Sequence, residues 1–314
     1  MNNLFLQVFR NRLMVDRGIA EQTYLPFFIS MLQGAPTTLA INKPQFGGTK
    51  EQTVDLTRPD LNIRLFDRSL FQVGAEVAFE KIDEAQEGSV LVIPIIGEFL
   101  KYGTMCSYGA NEIAPAIRKA GDVKNISAVV LDFDSGGGAE NAVPLFIEAI
   151  RYVQSKGKPV VAHGDLCASA AYYAASFCDY ILADNEISSA FGSIGAFVSF
   201  ADFSKQLEMA GVKITQFYAT QSNLKNEAYR ALTENEVPDS KPLIDKMLDP
   251  AVDRFIATCK KNRNGKISED SDVWKGALVE SEEIVKCGLA DDFGTLNDAI
   301  QVAVKLADFK KMNF

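Results

Sequence analysis

Short, uninterrupted apolar runs alternate with helix-like segments through the middle of the chain. The first run, Val90–Ile96, is bounded by turn residues and has the length of a strand that is buried on both faces. The same pattern predicts strands at Ala128–Phe133, Lys158–His163 and Tyr180–Ala183, and helices at Asn111–Ala120 and Ala142–Gln154. Strand, turn and helix repeated in this order predict an α/β fold, in which crossover helices connect the strands of a parallel sheet.

The two ends of the chain have different patterns. Residues 1–87 combine an amphipathic helical pattern at Asn3–Arg17 with glycine and proline punctuation, and we interpret them as an N-terminal extension or arm. The main domain is predicted to span residues 88–300, and residues 301–314 to form a C-terminal tail. Further elements are predicted as a strand at Val212–Tyr218 and helices at Ser240–Lys261, Ser281–Lys286 and Leu296–Leu306.

The charge of the chain argues against nucleic acid as a partner. Acidic residues number 41 against 32 basic ones, so the formal net charge is -9 and offers no electrostatic footprint for nucleic acid or anionic lipid. No window reaches the roughly 18 apolar residues of a membrane span. Charged residues also interrupt the apolar N-terminus before a signal peptide can form. We therefore expect a cytoplasmic protein with no membrane anchor.

Cysteine and histidine are too few and too scattered for a zinc site. The five cysteines include no C-x-x-C pair, and His163 is the single histidine. An odd cysteine count does not suit a disulfide framework and favours a reducing compartment. No metal and no cofactor are predicted. We interpret Cys167 as a small buried side chain rather than as a nucleophile.

The leading candidate for chemistry is Ser169, within Ala168–Tyr173 and directly after an apolar strand. A serine in this place lies at the amino end of a helix, where backbone N–H groups stabilise developing negative charge. Small residues around a serine are also typical of tight helix packing. Both interpretations remain open from this segment alone.

A glycine turn, Ser135–Gly138, follows the strand that ends near Phe133. Open parallel sheets place their ligands at the carboxyl ends of the strands, and glycines allow close approach of the backbone. A phosphate cradle would need G-x-G-x-x-G or a terminal G-K-[ST], and neither is present. The turn fits one half of an oxyanion hole better, with the Gly137 or Gly138 amide on one side and the Ala170 amide on the other.

A serine nucleophile also needs a base. His163 precedes Ser169 by six positions and no histidine follows it, so a Ser-His-Asp triad is geometrically poor. We interpret His163 as a core or interface histidine with its own partners. A lysine base must be neutral near pH 7, so the ordinary lysine pKa of about 10.4 has to fall by roughly three units in an enclosed cleft. The candidate is Lys225, in a polar loop after Tyr218.

Four segments together resemble the signal peptide peptidase A family of serine peptidases, within the Clp protease and crotonase superfamily. Leu131–Ala139 is similar to the family's strand and S-P-G-G turn, and Lys158–Tyr173 to its nucleophile block, S-G-G-Y-Y. Phe191–Ala196 resembles T-G-S-I-G-V, and Gly276–Gly294 resembles the closing G-x-A-x-x-x-G-L-V-D-x-x-G segment. The resemblance runs from about Ser89 to about Ile300, roughly two thirds of the chain.

The resemblance implies repeated ββα units of the Clp protease and crotonase type, in a peptidase domain over residues 88–300. By its motifs, Ser169 is the nucleophile and Lys225 the general base, since the family's S-G-x-x-K-D loop is similar to Gln221–Asn226. The substrate cleft is implied to include Gly192, Ser193, Ile194 and Gly195. A tight turn is the alternative interpretation of that segment.

The chain departs from the family in two places. Ala170 and Ala171 stand where glycines are common, which narrows the site, and Asn226 stands where an aspartate is common, which removes a charge. An extension in place of a membrane anchor favours the phage-type members, which cut scaffold or capsid proteins during head assembly. The implied partners are such polypeptides and further copies of this chain in a homo-oligomer.

Two alternatives to a peptidase remain open. One is a non-enzymatic assembly protein on a degenerate peptidase fold, which the alanines and Asn226 would suit. The other is a crotonase-type acyl-coenzyme A enzyme, which uses the same pair of backbone amides but needs no serine at position 169.

Overall fold

A computed structural model describes residues 13–15, 61–66, 79–104, 107–199, 204–209, 211–213, 215–233 and 239–312. Its strands are β1 (Leu13–Val15), β2 (Arg64–Phe66), β3 (Ser89–Ile96), β4 (Ile126–Ser135), β5 (Gly137–Ala139), β6 (Val160–Ala168), β7 (Tyr180–Ala183), β8 (Ala190–Gly192), β9 (Leu278–Glu280) and β10 (Asp292–Phe293). Its α-helices are α1 (Ala110–Asp122), α2 (Val143–Ser155), α3 (Ala170–Ala175), α4 (Ser204–Met209), α5 (Glu227–Thr233), α6 (Lys241–Leu243), α7 (Asp249–Arg263), α8 (Glu283–Lys286) and α9 (Leu296–Met312). In this described part, no helix combines the length and the apolar character that a membrane crossing requires.

The central sheet is mainly parallel, as the repeated pattern predicts. Its strands follow the order β10-β7-β6-β4-β3-β2, and every neighbouring pair is parallel except β2 with β3. β8 extends the sheet beside the carboxyl end of β6, and β9 pairs antiparallel with β8. The predicted α/β fold class is therefore confirmed. β6 is longer than expected and continues past His163 to Ala168, the residue before Ser169.

Helices cover both faces of the sheet. The first face is covered by α1, α2, α3 and α7, whose largest buried side chains are Ile117, Phe146, Tyr172 and Phe255. On the other face, α9 packs Ala303 and Ala307 against Val130 and Val161. Burial on both faces explains why the central strands are apolar without alternation.

The strand predicted at Val212–Tyr218 is wrong. Residues 212, 213 and 215–218 are irregular, and the Phe217 side chain is 91% exposed. β-branched and aromatic residues favour strands mainly because they pack on a half-buried sheet surface. No strand of the described ranges pairs with this segment, so the residue pattern alone does not produce a strand.

Part of the predicted N-terminal arm belongs to the main domain. β2 pairs with β3 at the edge of the sheet, and Ile63 and Ile82 are fully buried in the core. The helix predicted at Asn3–Arg17 lies outside the described residues except at Leu13–Val15, which are a strand. That strand pairs antiparallel with β5 over three residues.

The C-terminal helix crosses the domain boundary predicted at residue 300. α9 continues as one helix to Met312, and Ala307 is buried against the sheet. Small alanines at this spacing let the helix lie close to the strands. The packed part of the chain therefore extends through most of the segment 301–314 that the sequence pattern predicts to be a tail.

Arg263 and Asp291 form a buried ion pair that joins α7 to the strand β7. Arg263 Nη2 lies 2.7 Å from Asp291 Oδ1, and both side chains are 5% exposed. Arg263 Nε also donates to the Gly288 carbonyl, and the Asp291 carboxylate accepts the Ile181 N–H. Burial by itself raises the pKa of Asp291, but the hydrogen bonds and charges of Arg263 and Lys266 lower it below the usual value.

We expect Asp291→Asn to lower the free energy of unfolding by about 3–5 kcal/mol, because it leaves the Arg263 guanidinium buried without a counter-charge. In the wild type, a carboxyl whose pKa is lowered by folding stabilises fully above its unfolded pKa of about 3.9. That stabilisation is lost as the pH falls through the lower folded pKa. Urea unfolding at a series of pH values measures both effects.

Glu148→Gln is the matched control for this prediction, because it breaks the exposed pair of Arg118 and Glu148. Exposed ion pairs contribute little, so we expect almost no change in stability. An equal loss in the two variants would contradict the role assigned to burial.

Candidate functional site

Ser169 occupies the junction between β6 and α3, and its backbone is strained. Its φ of 52° and ψ of −118° lie in a region that residues with a side chain rarely adopt. Such a conformation costs about 1–3 kcal/mol and persists only where the surroundings impose it. The Ser169 N–H donates to the Gly192 carbonyl at 2.8 Å, and the Ser169 carbonyl accepts the Tyr173 N–H at 2.9 Å. A sharp strand-to-helix turn of this kind presents a serine hydroxyl at the end of a sheet.

The glycine turn after β4 lies beside Ser169. In the parallel pair of β4 and β6, Ser135 is in register with Cys167. Gly137 lies two residues after Ser135, and Ser169 lies two residues after Cys167, so the two residues lie side by side at the carboxyl ends of these strands. β5 also contacts α3. The first N–H groups of a helix have no acceptor within it, so the Ala170 amide is available next to the hydroxyl. The structure brings together the segments that the sequence marks as nucleophile and oxyanion donors.

Phe99 holds β5 in place through its backbone. Its N–H donates to the Gly137 carbonyl at 2.9 Å, and its carbonyl accepts the Ala139 N–H at 2.8 Å. Because backbone N–H groups alternate between the two edges of a strand, the Gly138 N–H points to the edge away from Phe99. Sequence reasoning missed Phe99, since a contact made by the backbone leaves no mark on the residue type.

We expect Gly138→Ala to lower both stability and activity. A Cβ at Gly138 would lie 2.3 Å from the Phe99 carbonyl oxygen, so β5 would have to move. Overpacking of this kind costs about 1–3 kcal/mol. Thermal unfolding and polypeptide cleavage measure the two effects.

The matched control for stability is Gly195→Ala, whose Cβ would make an ordinary contact of 3.7 Å with Gly276 Cα. If Gly138→Ala were as stable as this control, the tight fit of β5 against Phe99 would be refuted.

The predicted cleft segment begins at Gly192, the last residue of β8, and continues as irregular backbone that holds Ser169 in place. Gly192 and Ser193 have φ values of 107° and 49°, and the Ser193 N–H donates to the Ala277 carbonyl at 2.8 Å. Ile194 is fully buried in the core, so its side chain does not line an open cleft. The segment reaches Ser169 through the Gly192 carbonyl, and its role in substrate binding stays a prediction.

The small residues around Ser169 also serve tight packing. All four alanines of α3 are fully buried. Tyr172, between them, donates from its hydroxyl to the Leu289 carbonyl at 3.0 Å. The Tyr173 ring stacks on Phe255 with the ring centroids 4.3 Å apart. The packing interpretation is confirmed, and the same packing holds the strained turn at Ser169 in place.

His163 lies far from Ser169 along the same strand. Six strand residues separate the two by roughly 20 Å, at about 3.3 Å per residue. His163 Nδ1 lies 2.7 Å from Asp132 Oδ1 and Nε2 lies 3.2 Å from Asp184 Oδ1, so its interpretation as a buried histidine with polar partners is confirmed. Burial raises the pKa of the Cys167 thiol well above its usual value, which makes it a poor nucleophile. The described residues contain no metal-binding group of three or more histidine, cysteine or carboxylate side chains.

Lys225 is exposed, and no hydrogen bond joins it to Ser169. Its N–H donates to the Ser222 carbonyl at 3.0 Å, while its ammonium makes no hydrogen bond or ion pair within the described ranges. The following residue, Asn226, has a φ of 57°, a left-handed conformation that asparagine tolerates better than most residues. Its carbonyl accepts the Arg230 N–H at the start of α5. The enclosed cleft that a lysine base requires is not formed by the described part of one chain.

These features define an α/β protein with a strained, buried serine at the carboxyl end of an inner strand of a mainly parallel sheet. The family model described as Peptidase family S49 matches residues 153–310, which is half of the chain. The chain belongs to this family of serine peptidases, and the resemblance to signal peptide peptidase A proteins is confirmed.

Curated relatives include both cellular and phage proteins. Protease 4 of Haemophilus influenzae is 29% identical over 204 residues, which cover 64% of this chain and 32% of that protein. The head-tail preconnector protein GP5 of Enterobacteria phage P21 is 28% identical over 219 residues, which cover 68% of this chain and 42% of that protein. The chain thus spans about a third of the length of the first relative and about two fifths of the second.

Solved structures of proteases show a weaker likeness. The membrane-bound stomatin-specific protease 1510-N matches with a TM-score of 0.40 at 14% identity, covering 68% of this chain and 83% of that one. ClpP1 from Listeria monocytogenes matches with a TM-score of 0.39 at 12% identity, covering 67% and 94%. Scores of this size do not decide the fold, which the strand order establishes directly.

Proposed function

We propose that the chain is a serine peptidase that cleaves extended polypeptide, with Ser169 as nucleophile and Lys225 as general base. The observation that carries the proposal is the strained backbone of Ser169 at the end of β6, beside the glycines of β5. Strain of this kind is retained where a site needs its geometry. Membership of Peptidase family S49 supports the same assignment.

The proposed reaction has two steps. Ser169 Oγ attacks the peptide carbonyl while Lys225 Nζ accepts its proton, and the negative oxygen receives hydrogen bonds from the Gly138 and Ala170 amides. Lys225 then returns the proton to the leaving amine as the C–N bond breaks. In the second step a water molecule attacks the acyl-serine ester, which releases the new carboxyl end and restores the Ser169 hydroxyl.

The exposure of Lys225 supports a homo-oligomer as the active form. A lysine that is to act as a base must lose water, and the described part of a single chain leaves Lys225 in solvent. The apolar side chains of Leu224, the preceding residue, and of Phe217, eight positions earlier in the chain, are 70% and 91% exposed. A second copy that covers this segment would bury these apolar side chains together with the lysine. We therefore place a second copy of the chain over this segment, a proposal that light scattering of the purified protein tests.

The proposed substrates are scaffold or capsid proteins of an assembling phage head. The support is the similarity to a phage head-tail preconnector protein, over 68% of this chain. An extended segment of such a protein would lie along β5 and be cut at the bond that reaches Ser169.

The experiment is incubation of the purified chain with an unstructured polypeptide and, separately, with candidate scaffold and capsid proteins, followed by intact mass. Fragments from the wild type and none from Ser169→Ala are the expected result. A wild type that cuts none of these proteins would overturn the peptidase proposal and favour an assembly protein on the same fold.

A further inference from the structure

The edge of β5 that faces the proposed substrate is already occupied by the chain itself. β1 pairs antiparallel with β5, with Leu13 opposite Ala139, Met14 opposite Gly138 and Val15 opposite Gly137. β1 and β5 form a separate two-stranded sheet apart from the central one. The strand next to Ser169 therefore carries a segment from more than 120 residues earlier in the chain.

The backbone directions show which groups β1 engages. Phe99 uses the Gly137 carbonyl and the Ala139 N–H, which point to one edge of β5. The N–H and the carbonyl of Gly138 point to the other edge, where β1 lies. Met14 stands directly opposite, so its carbonyl faces the Gly138 N–H and its N–H faces the Gly138 carbonyl. The amide proposed to stabilise the oxyanion is thus the one that β1 covers.

An extended substrate would need this same edge. Peptides that add to a sheet edge obtain their affinity from main-chain hydrogen bonds with the exposed strand. Only one strand can use the outward groups of Gly138 at a time, so β1 and a substrate exclude one another. A pair of three residues is short, and short pairings are weak. A substrate that makes more contacts can therefore displace β1.

We propose that β1 is an internal competitor that occupies the substrate strand position and restrains the peptidase until a substrate displaces it. This inference rests on the proposed function, because it assumes that substrate binds along β5. Since a competitor of this kind blocks binding and leaves the chemical step unchanged, it raises the KM for substrate and does not alter kcat.

The test is Met14→Pro in the full chain, because proline has no N–H to donate to the Gly138 carbonyl. We expect the KM for an unstructured peptide substrate to fall at least about fivefold while kcat changes by less than about twofold. Met14→Leu keeps the N–H and is the matched control, with the KM of the wild type. A synthetic peptide of residues 8–20, added to Met14→Pro, should raise the KM again without lowering kcat.

Two results would overturn the inference. One is a KM in Met14→Pro equal to that in Met14→Leu. The other is recovery of chains that begin at Val15 from the wild type but not from Ser169→Ala, because β1 would then be a substrate and not a competitor.

Hydrogen exchange separates this inference from the proposed function. In the Ser169→Ala background, the Gly138 amide should exchange faster with Met14→Pro than with Met14→Leu. If the Gly138 amide exchanges faster but no form that keeps Ser169 cleaves a substrate, β1 does occupy β5 and the peptidase assignment is wrong. Equal exchange in the two variants would overturn the occupancy of β5 whether or not the protein cleaves peptides.

Discussion

Replacement of Ser169 by alanine is expected to reduce polypeptide cleavage by at least about 10³-fold, because the reaction loses its nucleophile while the backbone donors remain. The fold should persist in this variant. The Ser169 hydroxyl makes no hydrogen bond within the described ranges, so its removal leaves no buried partner unpaired. Initial rates on an unstructured polypeptide, followed by intact mass, measure the loss.

Two further variants make the result specific. Ser155→Ala changes an exposed serine at the end of α2 and should cleave as the wild type does. Ser169→Gly should be as inactive as Ser169→Ala but more stable by about 1 kcal/mol or more, because glycine adopts a positive φ without strain. Cleavage that survives in both Ser169 variants would exclude this residue as the nucleophile.

Replacement of Lys225 by methionine is expected to reduce cleavage by about 10²- to 10⁴-fold, the usual contribution of a positioned general base. Lys225→Arg should be equally impaired, because a guanidinium keeps its charge but does not give up its proton at neutral pH. Lys213→Met is the matched control, since Lys213 is an exposed lysine in the irregular segment that precedes Lys225. Initial rates under saturating and limiting substrate measure the effect on kcat and kcat/KM.

Assembly must be measured in the same samples, because Lys225 lies next to the exposed Leu224. Light scattering of each variant distinguishes a lost base from a lost oligomer. Full activity in Lys225→Met, with the wild-type assembly, would remove this lysine from the mechanism and leave Ser169 without an assigned base.

Much of the fold was predictable because strands that are buried on both faces of a sheet consist almost entirely of apolar residues. The predicted apolar runs overlap four observed strands, β3, β4, β6 and β7. The two helices predicted between them overlap α1 and α2. The segment around Val212–Tyr218 has the residue types of a strand, but no strand among the described residues pairs with it. Pairing is a tertiary property, so no local pattern could have excluded the error.

The meeting of Ser169 with the glycines of β5 was also predictable, because neighbouring parallel strands end at one edge of a sheet. The strain at Ser169 was not, since it arises from hydrogen bonds and packing contributed by Gly192, Tyr173 and Phe255. The role of Lys225 rests on similarity to a family motif, and the residues that the structure describes in one chain neither enclose that lysine nor join it to the serine.

The sequence by itself determined the parallel α/β architecture, the candidate nucleophile and the family to which the chain belongs, because these depend on local apolar periodicity and on short motifs. Only the tertiary structure decided the left-handed backbone of Ser169 and the edge of β5 to which the Gly138 N–H points. It also decided that Leu13–Val15 pairs with β5 rather than forming a helix. Each of these depends on hydrogen bonds between segments that are distant in the chain, and such bonds leave no trace in local sequence.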